Sequence, residues 1–152
     1  QLAIRPADPD APEALFCLKS YFNELAARIP GLDTGKFPVP DPQADSYRPP
    51  RGRFLVAWSD DLPVACVSLR PLDAATAEVK RLWVHDSARG QGLARRMMTA
   101  IEDEARAMGV QRLKLDTNSA LTAALALYRA TGWHDTAPYT GAPADIWLQK
   151  SL

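Results

Sequence analysis

The order of apolar and polar positions divides the chain into strands and helices before any side-chain chemistry is considered. From Glu78 to Val84 the β-branched and aromatic residues Val79, Trp83 and Val84 predict a central strand. From Leu93 onward Leu93, Met97, Ile101, Ala105 and Met108 recur at helical spacing, with Arg95, Arg96, Glu102, Asp103 and Arg106 on the opposite face. Between strand and helix stands the tight turn Arg89-Gly90-Gln91-Gly92-Leu93-Ala94.

Upstream, Leu2 to Arg5 reads as a first strand halted by Pro6. A helix entered at Asp10 to Pro12 then runs to about Ile29, with Leu15, Leu18, Phe22, Leu25, Ala26 and Ile29 on its core face. Residues 30 to 50 carry Pro30, Pro38, Pro40, Pro42, Pro49 and Pro50 among polar residues, so they form a loop, anchored by Phe37, Val39 and Tyr47. Residues 53 to 58 and 64 to 69 pair as a hairpin, and the central strand extends it to an antiparallel meander. Beyond the stop at Gly109, residues 112 to 117 form a strand reached by crossing over a helix, which requires a parallel pairing with the central strand. A short helix from Ala120 to about Ala130, a strand-like Trp133-His134 and a last strand at 145 to 149 complete the order.

At 152 residues this is read as one domain over 1–152, with no internal repeat. Eighteen basic and eighteen acidic side chains cancel, so no long-range field favours nucleic acid or a membrane surface. Cys17 and Cys66 sit in apolar surroundings and read as buried thiols in a reducing compartment; neither they nor His85 and His134 have metal-ligand spacing. With no apolar run of membrane-spanning length and no export segment, the expectation is a cytoplasmic protein, monomer or homodimer.

A glycine turn at the start of a helix exposes backbone amides at the positive end of the helix dipole, a natural seat for phosphate. The turn lacks the third glycine of a dinucleotide fingerprint, since Arg95 stands there, and lacks the Gly-Lys-Ser/Thr of a phosphate-binding loop. It matches Arg/Gln-x-x-Gly-x-Gly/Ala through Arg89, Gly92 and Ala94, and here the chain resembles the GNAT superfamily of N-acetyltransferases. A second stretch, Leu127-Tyr128-Arg129-Ala130-Thr131-Gly132-Trp133, matches the other sequence by which that superfamily is known. Tyr21 to Leu25 and Arg48 to Gly52 are also similar to the acetyltransferase halves of some MarR-type regulator fusions, although no helix-turn-helix is present.

The resemblance implies the GNAT acyl-CoA N-acyltransferase fold. This is a mixed α/β chain with a mostly antiparallel twisted sheet of six or seven strands, one parallel pair and about four helices. It implies acetyl-CoA as co-substrate, its pyrophosphate on Arg89, Gly90, Gln91, Gly92, Leu93, Ala94 and Arg95, with Arg96 nearby. It places the pantetheine arm and an oxyanion-binding amide on a bulge at Leu82, Trp83 and Val84, and gives Asn118 a hydrogen bond to the pantetheine. The implied activity is transfer of acetyl to a primary amine by direct attack, since no cysteine or serine stands as an activated nucleophile.

An amine of pKa near ~10 is about one part in a thousand neutral at pH 7, so a base is required. Glu78 is the candidate, expected on one face with Lys80, Leu82 and Val84; the alternative is an edge glutamate paired with Lys80 or Arg112. Tyr128 is the candidate acid for the departing thiolate, against the alternative of a core aromatic. Trp133 and Tyr139 are expected to frame the acceptor, while Asp33, Asp41, Asp45 and Asp135 are candidates for attracting a cationic amine. A sensor that binds acyl-CoA without turnover is the alternative function, and a longer acyl donor stays open.

Overall fold

A computed structural model describes all of residues 1–152. Seven strands form one sheet: β1 (Leu2–Pro6), β2 (Arg53–Ser59), β3 (Leu62–Pro71), β4 (Thr76–Val84), β5 (Arg112–Thr117), β6 (His134–Asp135) and β7 (Ile146–Ser151). Their order is β1-β2-β3-β4-β5-β7-β6, antiparallel throughout except for β4 against β5, as the crossover demanded. The helices are α1 (Pro12–Arg28), α2 (Leu93–Ala107) and α3 (Thr122–Ala130). There are three rather than about four, because the proline-rich stretch makes only short 3₁₀ turns at Thr34–Lys36 and Ala44–Tyr47.

Each helix side of the sheet has its own apolar cluster. Leu93, Met97, Met98, Ile101 and Ala105 of α2 pack on Leu55, Val67, Leu69, Ala77 and Val79. On the other side, Ala14, Cys17, Leu18, Phe22 and Leu25 of α1 pack on Phe54, Val56, Cys66 and Trp83. With helices on both faces, β3 is buried continuously from Val64 to Leu69, which is why it reads as an apolar run interrupted only by Ser68 rather than as an alternation. The loop is pinned as expected: Phe37 stacks on Phe22 at 5.1 Å, and Tyr47 is buried. Gly52 lets it approach the sheet, since a Cβ there would lie 2.2 Å from the Ser46 carbonyl oxygen and 2.5 Å from that of Leu69.

Strict alternation fails at one place in β4. Ser68 faces Lys80 and Cys66 faces Trp83, so one residue of β3 opposes two of β4, and Arg81 takes a left-handed φ of 65°. Ala77 and Val79 point to the α2 side, and beyond the bulge so do Leu82 and Val84. Glu78 therefore does not share a face with Leu82 and Val84, and the bulge lies at Arg81, just before the segment assigned to it from sequence. Its carbonyls are held by buried β3 side chains: Ser68 Oγ donates to the Lys80 oxygen at 2.9 Å, and Cys66 Sγ to the Arg81 oxygen at 3.1 Å. The parallel pairing with β5 covers only Thr76 to Glu78 against Arg112 to Lys114, and the two strands then separate.

One helix position also differs from its expected place. Glu102, assigned to the polar face of α2, is buried and accepts a hydrogen bond from Lys150 Nζ of β7 at 2.8 Å. Lys150 reaches from the last strand to this position, so part of the polar face of α2 is interior.

Ser68→Ala leaves the Lys80 carbonyl without its donor inside the protein. It should lower stability by about 1–3 kcal/mol in urea unfolding, and an unchanged midpoint would show that the bulge does not need this bond.

Candidate active site

The separation of β4 from β5 opens a cleft with two connected cavities. The larger, about 340 Å³, runs between α1, the end of β4, the glycine turn and the start of α3. The smaller, about 120 Å³, lies deeper, between α1, residues 79 to 82, the end of β5 and α3. They share Tyr21, Leu25, Leu82, Leu121 and Ala124 as walls, so they meet where the strands part.

The turn presents a row of free donors. Gly90 and Gly92 both take left-handed conformations, with φ of 75° and 74°, which a residue with a Cβ adopts only with strain. Gly92 caps α2 without a side-chain acceptor, and the first amide to find one is Arg96, donating to the Gly92 oxygen at 3.1 Å. The backbone N–H groups of residues 90 to 95 thus donate to no protein acceptor, at the positive end of a long helix. Gly90, Gly92, Leu93, Ala94 and Arg95 line the larger cavity, together with Leu82, Trp83, Val84 and Arg89; Gln91 is exposed beside it. Arg89 is turned back toward α1 and β4: it pairs with Glu24 and with Asp86, and its Nε donates to the Val84 oxygen at 3.1 Å.

Tyr128 is the group of the second stretch that reaches the inner cavity. The residue is 6% exposed and packs on Trp133, yet its hydroxyl finds no partner within the protein and faces the cavity. Burial, reinforced by Tyr21 and then Asp116, pushes its pKa well above the usual phenol value, so it carries its proton at any physiological pH. Trp133 itself is core and lines neither cavity, which corrects its placement beside the acceptor. Asn118 lines the inner cavity, but its side chain closes the loop before α3, donating to the Pro143 oxygen at 2.6 Å and accepting from Ala120 N–H at 2.8 Å.

Glu78 is the most enclosed charge in the molecule, fully buried rather than at an edge. One carboxylate oxygen accepts from Arg70 Nε at 2.8 Å and the other from the Tyr139 hydroxyl at 2.7 Å, with Lys80 Nζ at 3.8 Å. Tyr139 is thereby drawn to Glu78 instead of framing the acceptor, and burial followed by this hydrogen bond raises its pKa strongly. Glu78 does not line either cavity, whereas Asp116, on the separated end of β5, does. Asp116 accepts from Thr140 Oγ1 at 2.6 Å and lies 3.6 Å from Lys80 Nζ. Periodicity gave no reason to single it out, because Asp116 becomes cavity-facing only through the parting of the strands.

Of the loop aspartates, Asp41 alone touches this region, pairing with Arg81 at 3.2 Å. Asp33 caps a 3₁₀ turn, Asp45 pairs with Arg48 and Asp135 with Arg129. Cys17 and Cys66 are fully buried free thiols, and burial raises the Cys66 pKa. No group of three or more His, Cys, Asp or Glu residues is arranged to hold a metal, and no helix is long and apolar enough to cross a membrane.

The profile of the acetyltransferase (GNAT) family matches residues 20–133, the span that contains the turn, the cleft and Tyr128. The chain belongs to the GNAT acetyltransferase family. Among its relatives, an IAA acetyltransferase from Azospirillum brasilense is 38% identical over 104 residues, covering 66% of this chain and 68% of that one. The GNAT fold extends across the whole chain. A GNAT-family acetyltransferase from Staphylococcus aureus superposes with a TM-score of 0.84 at 13% identity, covering 99% of both chains. Another, from Elizabethkingia anophelis, solved with acetyl-CoA bound, gives 0.69 at 18% identity over 99% of this chain and 98% of that one.

The place of Glu78 makes its substitution informative. Glu78→Gln leaves Arg70 and Lys80 without their buried counter-charge and should cost about 3–5 kcal/mol in denaturant unfolding. If stability were unchanged while the acidic limb of the pH-rate profile disappeared, Glu78 would instead be the base.

Proposed function

We propose that this protein transfers the acetyl group of acetyl-CoA to a primary amine by direct attack within a ternary complex. The observation that carries the reading is the row of unpaired amides at residues 90 to 95, set at the mouth of a cleft that ends at the unpartnered Tyr128 hydroxyl. The residues fit the co-substrate: amides at a helix N-terminus suit a pyrophosphate, with Arg95 at the cavity wall. The open edge of β4 at Leu82, Trp83 and Val84 offers backbone groups to the pantetheine arm. When bound, acetyl-CoA supplies the activated acyl group, and the acetyl-CoA-bound relative supports that identity.

The protein's own groups then have separate tasks. A backbone amide on the bulged part of β4 meets the negative charge that develops on the carbonyl oxygen. Tyr128, kept protonated by burial, gives its proton to the leaving sulfur. Asp116, the one carboxylate lining the inner cavity, takes the proton from the amine, while Glu78 holds Lys80 and Arg70 behind it. Asn118 uses one N–H on the Pro143 oxygen and one lone pair on the Ala120 amide, and its second N–H is the group it has left for the pantetheine.

Coenzyme A release from acetyl-CoA over a panel of amines, with co-substrate binding measured alongside, tests the reading. Release above the amine-free background for one class supports it; tight binding with no release for any class favours a sensor. Tyr128→Phe should lower kcat by about 10²-fold or more with little change in KM for acetyl-CoA. Asp116→Asn should lower kcat/KM for the amine to a similar degree, and full activity in either variant would remove that residue from the mechanism.

A further inference from the structure

We propose that the acceptor is a small zwitterion, an amino acid with an apolar side chain, whose carboxylate is held by Lys80 and Arg81 while its amine lies against Asp116. The inference rests on the acetyl transfer proposed above and supplies the chemistry of its acceptor.

Consecutive residues in a regular strand point to opposite faces, so two adjacent cations would not normally meet one ligand. The left-handed conformation of Arg81 cancels that alternation, and both Lys80 and Arg81 line the inner cavity. Such a backbone conformation in a residue with a long side chain is strained, and it is retained here where it aims two charges. The side chains are 19% and 14% exposed, yet much of their donor capacity is unused. Lys80 Nζ stands 3.8 Å from Glu78 and 3.6 Å from Asp116, beyond hydrogen-bond distance from both. Arg81 meets one carboxylate, that of Asp41, and its guanidinium lies over the Phe22 ring with 4.9 Å between them. A stacked guanidinium is fixed in plane and offers its remaining N–H groups edge-on, the geometry that suits a planar carboxylate.

Against these two cations the cavity has one carboxylate, Asp116. An acceptor with further positive charge would meet Lys80 and Arg81 unfavourably, and a simple alkylamine would leave their donors unmatched. A molecule with one amine and one carboxylate satisfies both ends. Away from Thr117, Asn118 and Tyr128 the rest of the wall is apolar, with Phe22, Leu25, Ile29 and Phe37 beside Leu115 and Leu121, so an apolar side chain fills that part.

The test compares leucine and phenylalanine with their amides and with the amines that lack the carboxylate. Coenzyme A release is measured for each, together with calorimetric binding of each acceptor to the coenzyme A-saturated protein. The amino acid of at least one series should exceed both analogues by about tenfold or more in kcat/KM, as a charge-assisted hydrogen bond implies. Lys80→Gln should erase that preference and raise the amino-acid KM while leaving the KM for acetyl-CoA unchanged, and Lys80→Arg should restore it. Turnover of amides and plain amines as good as that of the acids would overturn the inference and leave acetyl transfer standing. Carboxylate-dependent binding without turnover would uphold the acceptor class and overturn the transfer. Neither binding nor turnover of any amino acid would overturn the acceptor class.

Discussion

Past Glu78 and Lys114 the parallel strands β4 and β5 part, and the physical cause lies on the other edge of β4, where the extra residue at Arg81 bends the strand away. A sheet whose central strands separate must either bury unpaired backbone or give it something to bind, since unpaired polar groups are costly away from water. On the β3 side the bulge carbonyls are satisfied by Ser68 and Cys66 side chains, so the irregularity is built into the core and not left to a loop. On the β5 side the same irregularity leaves a cleft, into which Leu82 and Tyr128 project from opposite walls.

The electrostatics of the site follow from that cleft. Glu78, buried just before the bulge, anchors Arg70 and Tyr139 directly and Lys80 loosely. Buried ion pairs add little net stability, but removing one member exposes the cost of desolvating the others. Such a cluster therefore fixes the positions of Arg70 and Tyr139 more than it strengthens the fold. Asp116 shares Lys80 with Glu78 but lines the cavity, whereas Glu78 does not, so of the two carboxylates only Asp116 is placed to meet a ligand directly. At the turn the charges are tied up differently: Arg89 pairs with Glu24 and Asp86, and the free donors are main-chain amides, preset by two left-handed glycines and by the α2 dipole.

The order of elements along the chain, the meander of β2 to β4, the single parallel pairing, the glycine turn and the candidacy of Tyr128 were legible in the sequence, because each rests on local periodicity or on a compact motif. What was not legible depends on long-range geometry. The bulge at Arg81 has no glycine to announce it, so alternation along β4 put Glu78 and Leu82 on one face when the chain puts them on two. The alternative reading of Glu78, an edge residue paired with Lys80 or Arg112, missed Arg70, which lies across on β3, and Tyr139, which comes from a distant loop. Glu102 looked solvated until β7 covered it with Lys150. Trp133, close to Tyr128 in the same motif, belongs to the core, and Asp116 gains its position only through the separation of two strands.

Acetyl transfer as proposed requires the unpaired amides of the turn and the open edge of β4 to act as one cofactor site. Backbone NMR with coenzyme A added in steps tests it most directly, by following amide shifts and hydrogen-exchange protection residue by residue. Residues 90 to 95 and 82 to 84 should shift together with one dissociation constant and gain protection, while β1 and β6 stay unchanged. Shifts confined to other surfaces, or a turn whose amides remain as exchangeable as before at saturation, would contradict the account.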